Sequence, residues 1–383
     1  MVLVIDTFKL IKGVGKSIGI YNLTKSIVTK LGAENVRRGL PEKIIILGNE
    51  FNRSDMDAEG VEFYQVPGDP KSRVKILLWE LFGVRKEAAR FQADRILFPR
   101  GFRPLIYRGQ DTIIIHDLIP FYYDKHYPGY FNRLENAYIM NRLKASIRGA
   151  QRIITISDAS REEIMQLVPG SEGKIREIYN GINDMTAYEK TAADQTAAAE
   201  KTIAAVTSKL PHKNAKGILK AYGVYAGMCR EKGLEPMPIR IIGIGSFEDA
   251  GLSREEQDAL SGLDISCFSY IEKYEDMCRM IADARCFLFL SYAEGFGFPP
   301  LEAMQLGTPV VCSDRTSLPE VVGDAGLLVD PDALQDVGEA LIRLQTDDLL
   351  CSDLIRKGYR NVTRFGWDTR TQEYWDELFS EHK

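Results

Sequence analysis

Two trains of short apolar runs, rich in β-branched residues and separated by stretches long enough for a helix, most narrowly limit what this chain can fold into. The first train is Val2–Asp6, Lys43–Leu47, Val61–Val66, Arg95–Phe98, Thr112–Ile115 and Arg152–Ile156, with a helix predicted over Ile18–Leu31. The second is Thr202–Thr207, Ile239–Ile244, Ile265–Phe268, Cys286–Leu290, Pro309–Cys312 and Gly326–Val329. Strands this short and this apolar are buried on both faces, and their alternation with helices predicts parallel sheets with ligands at the carboxyl ends of the strands. A chain of 383 residues exceeds what one core fills, so two α/β domains are expected. Between the trains, residues 184–201 are polar and Ala/Thr-rich and read as a linker joining domains at 1–183 and 202–363.

The composition excludes several classes. With 45% apolar and 27% charged residues the chain is globular, and no stretch approaches the roughly 18 apolar residues of a membrane-spanning helix. Met1 to Ile5 enters a strand without a basic segment and apolar core before it, so a cytoplasmic protein is expected. The six cysteines include no Cys-x-x-Cys pair, and the four histidines show no metal-ligand spacing. No nucleic-acid motif occurs.

Charge is unevenly divided. Residues 1–185 hold 28 Lys and Arg against 22 Asp and Glu, while the remainder hold 21 against 32. A basic amino half on an acidic chain points to an anionic partner on that side. Residues 71–86 concentrate it: Lys71, Arg73, Lys75, Arg85 and Lys86 interleave with Val74, Leu77, Leu78, Trp79 and Phe82. The segment is open between two readings, an interfacial helix on a membrane surface and a core-facing helix with a basic edge.

The densest chemistry lies in Ser291-Tyr292-Ala293-Glu294-Gly295-Phe296-Gly297-Phe298-Pro299-Pro300-Leu301-Glu302-Ala303-Met304, directly after the Cys286–Leu290 strand. Pro299 and Pro300 mark a helix start, where free amides and the dipole favour an anion, and Gly295 and Gly297 let a phosphate reach the backbone. Glu294 and Glu302 would repel phosphate, but ionised carboxylates are strong acceptors for hydroxyls beside it. A sugar nucleotide offers both groups.

This string resembles the Glu-x7-Glu motif of retaining glycosyltransferases of family four, and Leu306-Gly307-Thr308-Pro309-Val310-Val311 and Leu318-Pro319-Glu320-Val321-Val322-Gly323-Asp324-Ala325-Gly326 continue the family pattern. The resemblance implies the GT-B fold, two Rossmann-like domains facing across a cleft, with a C-terminal helix in 364–383 crossing back to the first domain. It implies sugar transfer from a nucleoside diphosphate donor to a hydroxyl of a glycan or lipid-linked acceptor, with retention and without a metal or other cofactor, in cell-surface polysaccharide or glycoconjugate synthesis. Such an enzyme would work in the cytoplasm, either free or peripheral on the inner face of the membrane with 71–86 as the contact under its interfacial reading.

The resemblance also implies roles. Glu302 would hold ribose hydroxyls and Glu294 the sugar's. The segment from Ala205 to Asn214 resembles the loop carrying an Arg and a Lys to the pyrophosphate; Lys213 matches the lysine, and Lys209 stands where the family has arginine. Gly243 and the Tyr270-Ile271 pair follow strands where relatives hold phosphate and base. The turn Gly295-Phe296-Gly297 would face the phosphates, as would Gly13 and Gly15 from the first domain, and His116, before Asp117, would lie near the donor sugar. The catalytic set is thus His116, Glu294 and Lys213.

Other readings of the same residues are weaker. Gly15-Lys16-Ser17 suggests a P-loop, but the glycine needed five residues earlier is Leu10. Gly13-x-Gly15-x-x-x-Gly19 is a loosened dinucleotide fingerprint with no acid ending a second strand. Asp55-Met56-Asp57 and Asp330-Pro331-Asp332 lie in polar turns and read as coincidental, and Ser157 and Asp158 read as a helix cap. A nucleotide-sugar epimerase of similar architecture and a non-catalytic nucleotide-sugar-binding partner are the alternative functions.

Overall fold

The computed structural model describes residues 1–12, 18–39, 42–104, 106–188 and 201–380. The chain forms two compact units, one of Met1–Gly181 with Trp367–Lys383 and one of Ile182–Gly366.

The first unit is built on seven parallel strands: β1 (Val2–Asp6), β2 (Lys43–Gly48), β3 (Glu62–Gln65), β4 (Arg95–Phe98), β5 (Asp111–Ile115), β6 (Arg152–Thr155) and β7 (Ile175–Glu177). Their order in the sheet is β3-β2-β1-β4-β5-β6-β7. Leu3, Val4, Ile5, Ile96, Leu97, Ile113 and Ile114 are all buried, as strands covered on both faces require. The helix Ile18–Arg38 buries Thr24, Ile27, Val28 and Leu31, a three-to-four spacing that gives one apolar stripe.

The final helix, Trp367–Phe379, packs on Ile18–Arg38 within this unit. Arg95 Nη1 donates to the carbonyls of Glu377 and Leu378 at 2.6 and 2.8 Å, satisfying helix-end acceptors that have no intrahelical partner. Arg152 pairs with the Glu377 carboxylate at 2.8 Å, and the Arg38 guanidinium lies 4.8 Å from the Trp375 ring centre.

Residues 71–86 match neither expected reading whole, because the segment is not one helix. An α-helix over Arg73–Leu78 passes into a π-helical turn over Trp79–Gly83 and back to α-helix over Val84–Phe91. The wider turn shifts the side-chain phase. Trp79 and Val84 are buried, and the Trp79 indole donates to both oxygens of Asp6 at 3.2 Å. Val74, Leu77, Leu78 and Phe82 remain 48–69% exposed.

The second unit carries six parallel strands: β8 (Ile203–Val206), β9 (Ile239–Ile242), β10 (Ile265–Phe268), β11 (Cys286–Phe289), β12 (Val310–Ser313) and β13 (Gly326–Val329), ordered β10-β9-β8-β11-β12-β13. The helices Ala215–Glu231 and Leu334–Thr346 pack together over a core that includes Ile218, Tyr222, Tyr225 and Leu341. The opening residues of the expected linker belong to this unit: Met185 is buried and its amide donates to Gln305 Oε1 at 2.9 Å. Residues 189–200 of that linker lie outside the described residues.

Each sheet reverses its direction of growth once, between β1 and β4 and between β8 and β11. Loops leaving adjacent strands there diverge and leave a crevice at the carboxyl ends, the usual ligand position in open parallel sheets. Among the described residues no helix is long and apolar enough to cross a membrane.

Candidate functional site

At the reversal between β8 and β11, a charged pair bridges the two loops. After β8 the chain forms a short 3-10 turn over Pro211–Lys213 and reaches Asn214 in the left-handed region, φ 55°. Asn214 accepts from the Gly217 amide at 3.0 Å, capping the helix Ala215–Glu231, and its Nδ2 donates to Leu290 O at 3.0 Å beyond β11. Thr207 Oγ1 donates to Lys213 O at 2.8 Å, and the Tyr292 amide donates to His212 O at 2.7 Å. Lys213 is therefore rooted on both sides. Its Nζ lies 2.7 Å from each carboxylate oxygen of Glu294. Burial and then the Lys213 charge push His212 down to about 4, so that imidazole is neutral at pH 7.

Glu294 is held by residues that the sequence reading did not single out. Its amide donates to Thr316 Oγ1 at 3.0 Å, and Ser317 Oγ donates to the carbonyls of Glu294 and Phe296 at 3.0 and 2.7 Å. Both follow β12 at the carboxyl end of the sheet, and that position was the available signal.

Beyond Glu294, Gly295-Phe296-Gly297 leads into the helix Phe298–Gln305 with Gly297 as N-cap, φ 121°, and no side-chain cap. A Cβ on Gly297 would stand 2.7 Å from Leu318 Cδ2. Pro299 and Pro300 take the second and third helical positions, leaving Gly297 and Phe298 to supply the first-turn amides. Phe296 is buried against Phe298 and Phe365, ring centres 5.2 and 5.5 Å away. Glu302 sits one turn into the helix, where burial pushes its carboxyl up to about 7. Burial and the Glu302 charge both raise the Tyr274 hydroxyl, and Tyr188 meets Tyr274 edge-on at 6.2 Å.

Lys209 is engaged elsewhere, with an acid that the sequence reading missed. Its Nζ is 2.7 Å from Asp249 Oδ1, while Asp249 Oδ2 accepts from the Gly245 amide at 2.8 Å. This link joins two loops 40 residues apart and leaves no spacing pattern to find. Gly243 has φ 108°, and a Cβ there would lie 2.0 Å from Thr207 O, so the β8 and β9 loops meet backbone to backbone. Past β10, Tyr270 is 78% exposed and Ile271 half-buried.

In the first unit, His116 follows β5 and its Nε2 is 2.6 Å from Pro99 O. A carbonyl only accepts, so Nε2 carries the proton, and burial lowers the pKa and keeps the ring neutral with Nδ1 as an acceptor. Pro99 O thus orients the ring from its Nε2 side, and Asp117 Oδ1 accepts from the Ile119 amide at 3.0 Å. Gly13 and Gly15 lie outside the described residues. Ser157 caps its helix by accepting from the Ser160 amide at 3.1 Å, with Asp158 as the first helical residue. Of the Asp-x-Asp strings, Asp55 accepts from Tyr21 and Lys25, Asp330 pairs with Arg315, and Asp332 accepts from the Tyr292 hydroxyl.

Comparison with known proteins matches both units. The family described as "Glycosyltransferase Family 4" matches residues 28–185, and that described as "Glycosyl transferases group 1" matches residues 189–361. The O-antigen chain mannosyltransferase B of Escherichia coli is 29% identical over 311 residues, 76% of this chain and 80% of that protein. The O-antigen chain mannosyltransferase RfbU of Salmonella typhimurium is 25% identical over 79% of each. Among solved structures, a sucrose-phosphate synthase from Thermosynechococcus elongatus superposes with a TM-score of 0.71 at 17% identity, covering 99% of both chains. Anabaena HepE in complex with UDP and glucose gives 0.68 at 18% identity over 99% of both.

Proposed function

Since the chain belongs to the glycosyltransferases that join a family 4 amino domain to a group 1 carboxyl domain, we propose that it transfers a mannosyl residue from a nucleoside diphosphate donor to a glycan or lipid-linked acceptor. The transfer retains anomeric configuration, uses no metal, and serves cell-surface polysaccharide synthesis at the cytoplasmic face of a membrane. The assignment of mannose rests on the names of the O-antigen relatives.

The observation that carries the reading is the Lys213–Glu294 pair at the reversal of the second sheet. As the bond between the anomeric carbon and the phosphate oxygen breaks, charge grows on the leaving diphosphate, and a preorganised cation there stabilises the transition state. Lys213 fills that role while its other contact fixes Glu294 to accept the sugar's hydroxyls. The amides of Gly297 and Phe298 add positive potential, Lys209 joins them when the diphosphate draws it from Asp249, and Gly243 and Gly295 let the backbone approach. Glu302, as the carboxylate, accepts from ribose hydroxyls, with Tyr270 and Ile271 toward the base. His116 Nδ1 accepts from a sugar hydroxyl. The acceptor oxygen bonds to the anomeric carbon, and its proton passes to the departing phosphate.

The exposed Val74, Leu77, Leu78 and Phe82, bordered by Lys71, Arg73, Lys75, Arg85 and Lys86, form the surface that rests on an anionic membrane. Incubation with mannose carried on different nucleoside diphosphates tests the reading. Release of diphosphate that rises with a glycan acceptor and falls with Lys213→Ala supports it. Binding without transfer or hydrolysis indicates a silent partner, and conversion of the donor sugar without any acceptor indicates an epimerase.

A further inference from the structure

We propose that the first unit holds a second anion site at the reversal of its own sheet, where Arg100 binds a phosphate or diphosphate carried by the acceptor. The identity of the acceptor rests on the transferase reading above; the anion site rests on the first unit alone.

Position comes first. β1 ends at Asp6 and β4 at Phe98, neighbours in the sheet from which the chain leaves in opposite directions, and Arg100 is two residues past β4. Its backbone is pinned on both sides. Pro99 O is bound by His116, and the Gly101 amide donates to Phe98 O at 3.3 Å. Gly101 has φ 74°, and a Cβ there would stand 3.0 Å from Ile114 O.

The side chain is half-buried, yet among the described residues its one hydrogen bond is a long one, Nη1 to Lys9 O at 3.3 Å. Among the described residues four of its five N–H donors have no partner. Two carboxylates are near enough to favour its charge, Asp6 and Glu80, and both are engaged with other groups. Asp6 accepts from the Trp79 indole and, at 3.2 Å, from the Phe8 amide. Glu80 pairs with Lys9 through one oxygen and, at 2.9 Å, with Arg142 through the other. Three cations thus face two acids, and burial raises the Asp6 pKa, which favours its neutral form. Burial likewise lowers the Arg100 pKa, with Asp6 and Glu80 opposing the shift. A planar fork with free donors in a half-dry crevice matches phosphate oxygens, which it can bind two at a time.

Such a phosphate could be borne by the sugar or by a lipid carrier, and mannose 1-phosphate and decyl phosphate, below its micelle concentration, represent the two. Each is titrated calorimetrically into the full chain as wild type, Arg100→Ala, Arg100→Lys and Lys213→Ala, with melting curves to establish that each variant is folded. The expected result is binding by wild type, a loss of about tenfold or more in Arg100→Ala, partial recovery in Arg100→Lys, and retention in Lys213→Ala. The stronger ligand identifies the source. Equal binding by wild type and Arg100→Ala, loss in Lys213→Ala alone, or no binding by folded wild type each overturns the site. Arg100-dependent binding by a chain that transfers no sugar supports the site and overturns the transferase reading instead.

Discussion

Lys213 Nζ lies 2.7 Å from both carboxylate oxygens of Glu294, so the two loops at the reversal between β8 and β11 are closed by one ammonium. The contact ties the cation proposed for the diphosphate to the acid proposed for the sugar, and neither can be removed without leaving the other without its counter-charge.

Replacing Lys213 with Ala should therefore affect both catalysis and stability. Turnover is expected to fall about 10²–10³-fold through the lost stabilisation of the leaving group. The fold should lose roughly 1–3 kcal/mol, because Glu294 loses its partner in a largely buried place. Adding Glu294→Gln should restore part of the melting temperature and none of the turnover. A double variant less stable than Lys213→Ala alone would contradict this account.

Glu302 should make donor affinity depend on pH. Its folded value of about 7 lies above its ordinary 4.5, so the protonated form is favoured by folding. Its contribution to stability is complete below 4.5 and is lost as pH rises through 7. Donor binding should run the other way, because in the proposed role the ionised form accepts the ribose hydroxyls. Donor KM should drop roughly tenfold between pH 6 and pH 8, following the ionised fraction. Glu302→Gln should flatten both profiles; a KM profile unchanged in that variant would remove Glu302 from the nucleoside.

Gly243→Ala should damage the second unit through sterics alone. Its φ of 108° costs an alanine roughly 1–3 kcal/mol, and the added Cβ would press within 2.0 Å of Thr207 O. Thermal unfolding and donor affinity should both weaken. Gly227→Ala, in a helix with nothing within 4 Å of the new Cβ, should hold or gain stability by up to about 1 kcal/mol.

Vesicle sedimentation tests the surface of the first unit. Leu77→Asp with Phe82→Asp should reduce binding to anionic vesicles several-fold while shifting stability by no more than about 0.5 kcal/mol per site, since both side chains are exposed. Equal sedimentation of variant and parent would remove this face from the membrane.

Most strands were legible because buried parallel strands need apolar side chains on both faces, as in Ile113-Ile114-Ile115. Ile175–Glu177 was not, since three residues with an exposed arginine at the centre carry no pattern. Lys213 and Glu294 were found through the motifs around them, whereas Lys209 gave no hint of Asp249, whose partnership exists only once β8 and β9 lie side by side. The π-turn at Trp79–Gly83 was hidden for another reason: the local pattern looks continuously helical, and the Trp79 bond to Asp6 is a tertiary contact that no local pattern carries. Arg100 reads in sequence as an ordinary loop cation; its unused donors become visible only when the nearby acids are seen to be engaged.

The return of Trp367–Phe379 to the first unit makes that unit discontinuous along the chain. No single cut in the gene yields it whole, because 1–181 alone would lack the helix whose final carbonyls Arg95 caps. The second unit, by contrast, is one uninterrupted insert. An exchange of the second unit between relatives therefore requires two crossovers, near 181 and 366, and a hybrid made with one would pair the recipient's strands with a foreign tail.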